Sequence, residues 1–268
     1  MKYILSNSQF FHQKFGGVTR YSINLFKSII NKKHNIDIVA PIYKNKFLKD
    51  LNGKNIYGFY CAKYPNLKPL RYLNNFFLKK KLQNDQVKTI HECYYPENLV
   101  NTKSKKILTI HDLIQEKRSN EYKNVDFQFR KKIFDNTDEF ICVSHKTKND
   151  LIEFYKIDES KINVIYHGSD HIHKIAENNL KLDFLNTPYL LYVGSRKKYK
   201  NFKLLLDVFL QSQKIFNDFK IVCFGNEKLN NQNEKKLFSQ KKLILINGDD
   251  SLLKKLYLKS TALVSTSN

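Results

Sequence analysis

The chain has 268 residues, enough for one large domain or two of ordinary size. Its apolar content of 41%, with 20 Phe and 16 Tyr, excludes global disorder, and no run reaches the ~18 apolar residues of a membrane span. The net charge of +22 suggests nucleic acid, but only 5 of the 47 cations are Arg, the residue that base readout and bidentate phosphate contacts favour, so a basic nucleic-acid binder is kept only as an alternative.

The predicted elements alternate from end to end. Met1–Asn7 holds too brief an apolar run for a signal peptide and reads as a first strand, Lys2–Leu5. A helix over Val18–Asn31 follows, then a strand at Ile36–Ala40, a helix at Leu70–Leu82 and strands at Val87–His91 and Ile107–Ile110. Val125–Phe134 and Lys146–Tyr155 read as helices around a strand at Glu139–Ser144, and Ile162–Tyr166 as the next strand. A second series has strands at 189–193, 219–224, 242–246 and 261–265, and helices at 201–216, 232–239 and 251–259. This order predicts an α/β protein of two tandem doubly wound Rossmann-like domains with a cleft between their strand ends. The expected division is an N-terminal domain over 1–170, a linker over 171–188 and an incomplete second domain over 189–268.

Glycines and cations mark the strand ends. Gly16-Gly17 opens the first helix and lets a phosphate approach the backbone with no Cβ in the way; an ordinary tight turn is the alternative. Arg20, one turn on, faces either a ligand or solvent. His111, after the strand Ile107–Ile110, is a candidate for hydrogen bonding a substrate hydroxyl, or a histidine that packs a strand end. His91 reads as the latter and His167 as part of a hinge. Tyr189–Val193 is a buried strand that stops at Gly194, and Arg196, Lys200 and Asn201 follow where the next helix starts, a geometry suited to gripping phosphate. Ser144 reads as a helix cap with Asn149-Asp150 in exposed turns beyond it, and Asp249-Asp250 as acids at a helix start. No cluster has metal-ligand spacing, so neither metal nor cofactor is expected. The four cysteines lack paired spacing and read as reduced thiols of a cytoplasmic protein.

Five segments in order, Gly16–Tyr21, Thr109–Leu113, Val143–Leu151, Val164–Asp170 and Tyr192–Asn201, resemble the retaining GT-B glycosyltransferases of the group 1 (family 4) class, which includes bacterial mannosyltransferases. The resemblance implies metal-independent transfer of a hexose from a nucleotide diphosphate sugar, GDP-mannose first, to a glycan or lipid-linked acceptor in cell-surface polysaccharide or lipopolysaccharide synthesis. It implies that Arg196 and Lys200 neutralise the leaving diphosphate, with Gly16, Gly17, Arg20, Gly194 and Asn201 around the substrate and His111 on the transferred sugar or acceptor. A complete relative continues beyond the strand matching Thr261–Asn268 into a helix with two glutamates. The chain is therefore expected to be a C-terminally truncated form, with an inactive fragment that binds nucleotide or a partner weakly as the alternative. Lys79-Lys80-Lys81 suggests peripheral contact with an anionic inner-membrane face, against the alternative of a solvated surface.

Overall fold

A computed structural model describes residues 2–51, 53, 55–62, 68–84, 87–169, 175, 182–196, 198–225 and 227–267. The chain divides into two compact units, Met1–His167 and Gly168–Asn268. Asp170 and most of the sequence-defined linker lie outside the described residues.

The first unit is built on seven parallel strands, β1 (Lys2–Ser6), β2 (Asn35–Tyr43), β3 (Ile56–Tyr60), β4 (Val87–Glu92), β5 (Lys105–Ile110), β6 (Glu139–Cys142) and β7 (Ile162–Val164). Their order is β3-β2-β1-β4-β5-β6-β7. Helices α1 (Gln9–His12), α2 (Gly17–Asn31), α3 (Lys46–Lys49), α4 (Lys68–Asn84), α5 (Ile114–Lys117), α6 (Phe127–Asp135) and α7 (His145–Tyr155) connect them. Apolar side chains of β1 and β2 pack on α2 through Leu5, Ile36, Ile38, Ile23 and Phe26, while Phe140 and Cys142 of β6 meet Ile133, Phe134 and Leu151. The second unit has four parallel strands, β8 (Tyr189–Val193), β9 (Lys220–Phe224), β10 (Leu243–Ile246) and β11 (Ala262–Leu263), in the order β10-β9-β8-β11. Its helices are α8 (Phe202–Gln211), α9 (Gln213–Asp218), α10 (Gln232–Ser239) and α11 (Asp250–Lys259). Together these are the two Rossmann-like sheets that the alternation of elements implies.

The structure departs from the sequence reading at several points. Strand β3 has no counterpart in it, because Gly58 interrupts the apolar run. A Cβ there would lie 1.8 Å from the Ala40 carbonyl oxygen, beside a register shift between Val39 and Ile42, so glycine is what lets the two backbones approach. The helix expected over 201–216 breaks at Ser212, whose hydroxyl accepts from Ile215 N and starts α9. Asp150 is buried, not exposed, and pairs with Lys117 at 2.7 Å and Lys146 at 2.9 Å. The last strand shortens to two residues.

Three of the four cysteines, Cys93, Cys142 and Cys223, are buried, and burial pushes each thiol up to about 12. Burial also acts on the end of β4. It pushes the Glu92 carboxyl up to about 7 and the His91 imidazole down to about 4, and both groups are neutral in the folded chain near pH 6. Between pH 4.5 and 7 the folded chain holds a proton on Glu92 that the unfolded chain has released, so this group's contribution to stability declines as pH rises through that window. His91 has the opposite sign: from pH 6.5 down to 4 the unfolded chain takes up the proton, and stability declines as pH falls. Replacing Glu92 by Gln removes the first slope, so the urea midpoint of Glu92→Gln should climb more steeply than that of the parent from pH 4.5 to 7. Parallel profiles for the two proteins would contradict the neutral-carboxyl assignment.

Candidate functional site

In the first unit, buried Asn7 at the end of β1 fixes where α2 begins. Its Oδ1 accepts from Gln9 N at 2.9 Å, and its Nδ2 donates to Ser22 Oγ at 2.6 Å, while Ser22 Oγ donates to Val18 O at 3.0 Å. The Gly16 carbonyl takes Thr19 Oγ1 at 2.9 Å and Arg20 N at 3.0 Å. A Cβ at Gly16 would overlap Gln13 Oε1 at 1.7 Å, whereas one at Gly17 would meet nothing within 4 Å, so the Gly17 backbone is open to approach. Arg20 turns to α3, its guanidinium 5.1 Å from the Phe47 ring centre.

One residue beyond Arg20, Tyr21 brings the glycine turn to the histidine that the sequence singles out. Its ring meets His111 edge-on at 5.1 Å and His167 at 5.0 Å, and the two imidazoles stack at 5.3 Å. His111 Nε2 lies 2.9 Å from the Cys93 carbonyl, which only accepts, so Nε2 carries the proton. The neutral ring then presents Nδ1 as an acceptor, 3.3 Å from His167 Nε2. Burial lowers the pKa of both rings, and for His111 the bond to Cys93 and nearby Asp112 oppose that shift while His167 adds to it. Behind them Thr109 Oγ1 joins His91 Nε2 at 2.8 Å to Tyr21 Oη at 3.3 Å, and the Tyr21 phenol is pushed up to about 12 by burial. The result is an uncharged, hydrogen-bonded nest at the C-terminal ends of β4 and β5, suited to holding a hydroxyl. His91 is a packed strand-end histidine, as read from the sequence. His167 joins the nest, a role its place near the linker did not suggest.

In the second unit, Gly194 leaves β8 with φ +112°. Tyr192 Oη lies 2.9 Å from the Ser195 carbonyl and 3.3 Å from that of Lys200, and Thr266 Oγ1 donates to the Lys200 carbonyl at 2.9 Å. These bonds close the loop that carries Lys200, whose ammonium lies 5.0 Å from the Tyr199 ring centre. Asn201 takes the left-handed conformation, φ 46° and ψ 41°, at the cap of α8. Among described caps of helices of eight or more residues, α6, α7, α10 and α11 receive side-chain bonds from Asp126, Ser144, Asn231 and Asp249. Helices α2 and α8 receive none and have no acid in their first turns. Their N–H groups and positive ends are the least neutralised of this set.

The buried Arg196 guanidinium turns inward: Nη2 donates to the carbonyls of Glu227 at 3.2 Å and Lys228 at 2.6 Å, and lies 3.4 Å from the buried Glu234 carboxylate. The guanidinium thereby supplies the counter-charge that the buried Glu234 carboxylate requires. Glu227 and Glu234 went unnoticed in the sequence. Asn231 and Glu234 do form a visible cap signature, Asn with Glu three residues on, and Glu234 N donates to Asn231 Oδ1 at 2.9 Å. Among the described residues no three His, Cys, Asp or Glu side chains are grouped to hold a metal ion.

Comparison with known proteins places this geometry in a family. Residues 15–172 match the model of Glycosyltransferase Family 4, and the chain belongs to that family of glycosyl-transferring enzymes. No curated protein matches the sequence significantly. Solved structures share the fold at low identity. A glycosyltransferase from Rickettsia africae ESF-5 is 19% identical, with a TM-score of 0.63 over 99% of this chain and 73% of its own. WaaG, a glycosyltransferase of lipopolysaccharide biosynthesis, is 10% identical, with a TM-score of 0.68 over 100% and 75%. A TarM variant of S. aureus, solved with Fondaparinux, α-GlcNAc-glycerol and UDP, is 12% identical, with a TM-score of 0.65 over 100% and 81%.

The inward placement of Arg196 separates its role from that of Lys200. Arg196→Ala leaves Glu234 buried without its partner and should destabilise the second unit by about 3–5 kcal/mol. Lys200→Ala, at a half-buried site where no carboxylate among the described residues pairs with it, should change stability by no more than about 0.5 kcal/mol. Urea unfolding of the two variants checks this, and equal midpoints would refute the assignment.

Proposed function

We propose that the chain transfers a hexose, with retention, from a nucleotide diphosphate sugar to a glycan or lipid-linked acceptor of the cell surface. The observation that carries this reading is the pair of uncapped, acid-free helix starts, each behind a glycine turn, with Lys200 beside the second. Negative charge develops on the departing diphosphate, and Lys200 with the α8 N-terminus and the Gly194 turn would stabilise it. Gly16 and Gly17 would offer backbone N–H groups, and His111 Nδ1 would accept from a sugar or acceptor hydroxyl, displacing His167. Arg196 supports the turn from inside in this reading. GDP-mannose is proposed from the motif resemblance. The TarM structure contains UDP, so UDP sugars are the competing donors.

The acceptor side has a surface suited to a lipid-borne substrate. Asn74 bonds both the N–H and the carbonyl of Ile42, at 2.9 and 3.4 Å, and Leu78 packs into the core, which turns the opposite face of α4 outward. That face exposes Tyr72, Leu73, Phe76 and Phe77 together with Lys79 and Lys80. Lys81 reaches over the exposed Tyr57 ring at 3.8 Å, bringing β3 with its exposed Phe59 alongside. Exposed aromatics with lysines between them match the interface of an anionic bilayer. No helix among the described residues is long and apolar enough to cross one.

Two experiments test these readings. Transfer from labelled GDP-mannose and UDP hexoses to a lipid-linked acceptor should be detectable and should fall roughly 10²–10³-fold in Lys200→Ala; transfer unaffected by that change would remove Lys200 from the site. Flotation with phosphatidylglycerol vesicles should carry the protein upward, with partition reduced about tenfold in the Phe76→Ser/Phe77→Ser double variant. A parent protein that stays in the pellet would end the membrane reading.

A further inference from the structure

The Gly194 turn already holds an anion supplied by the protein. Glu227, in the loop after β9, accepts from Ser195 Oγ at 2.7 Å through Oε1 and from Arg196 N at 2.8 Å through Oε2. The Arg196 Nε lies 4.0 Å from the same Oε2. These donors follow Gly194 directly, at the C-terminal end of β8, where a phosphate would also seek them.

The loop that carries Glu227 has holds other than this carboxylate. Arg196 Nη2 already grips the carbonyls of Glu227 and Lys228, and Asn230 N donates to Glu234 Oε2 at 2.9 Å. Glu234, with 2% of its side chain exposed, is the buried partner of Arg196, whereas Glu227 is 21% exposed and lies at the rim. What Glu227 adds to the turn is a carboxylate at the rim, on a hydroxyl and a backbone N–H.

We propose that Glu227 is an internal stand-in for the diphosphate, occupying the Ser195 hydroxyl and Arg196 N–H and yielding them when the nucleotide diphosphate binds. The inference rests on reading the second unit as the nucleotide side and goes further, naming a residue that sets affinity. Each binding event then replaces one anion by another on the same donors, and the displaced carboxylate remains close enough to repel the ligand. Nucleotide is held more loosely than the turn alone would hold it, and product leaves sooner.

The test is calorimetric titration of the parent chain, Glu227→Gln, Glu227→Ala and Lys200→Ala with inorganic pyrophosphate, UDP and GDP. Gln retains the volume and one acceptor oxygen but not the charge, and Ala frees both donors. Both Glu227 variants should bind all three ligands about tenfold more tightly than the parent, with the gain shrinking as salt rises. Urea midpoints near the parent's would confirm that the loop is held without the carboxylate. Weaker binding with a lowered midpoint would make Glu227 a structural pin and overturn the proposal. Unchanged binding in both variants, with loss in Lys200→Ala, would overturn it while leaving the nucleotide reading intact. A gain confined to UDP and GDP would move Glu227 to the base or ribose and also overturn it. Binding by none of the four proteins would remove both readings.

Discussion

Parallel pairing is the constraint on which each unit depends. A parallel strand cannot return through a tight hairpin, so every connection crosses a face of the sheet and begins at the same edge. The chain places its unusual residues there: Asn7 and the glycine turn after β1, Glu92 and Cys93 at and after β4, His111 after β5, and Gly194 to Asn201 after β8. Residues far apart in sequence therefore meet without a dedicated scaffold. Tyr21 meets both His111 and His167 because α2 starts from the same edge at which β5 and β7 finish.

The two units solve opposite electrostatic problems with that edge. The first collects histidines and a tyrosine and keeps them neutral by burial, so its polar atoms act through hydrogen bonds. The second leaves a helix start unneutralised, with a lysine near it and a carboxylate on the turn's donors. Neutral donors and acceptors suit a hydroxyl, and positive charge suits an anion.

The sheets were legible from the sequence because long apolar strands alternate with amphipathic helices, a pattern that local reading captures well. Strand β3 was not, since Gly58 breaks its pattern and its place is set by the Ala40 backbone beside it. The candidate site was half legible. Gly16, Gly17, His111, Gly194, Lys200 and Asn201 announce themselves by type and by position after a strand. Whether a cation faces a ligand or the interior depends on partners elsewhere in the chain. Arg196 turns inward because Glu234, 38 positions later, lies beneath it, and no local pattern ties the two. His167 was likewise recognisable only once β7 had carried it beside His111.

The distribution of sulfur gives the molecule built-in reporters of its own opening. Cys93 and Cys142 lie in the first unit and Cys223 in the second, all buried and held as thiols, whereas Cys61 is half-exposed beside β3. A maleimide dye reacts with thiolate, so in the folded chain it is directed to Cys61 and spares the other three. Each of those becomes reactive when the core around it opens. The order in which peptides carrying Cys93, Cys142 and Cys223 acquire label during a denaturant ramp would then date the unfolding of each unit separately, with no engineered probe.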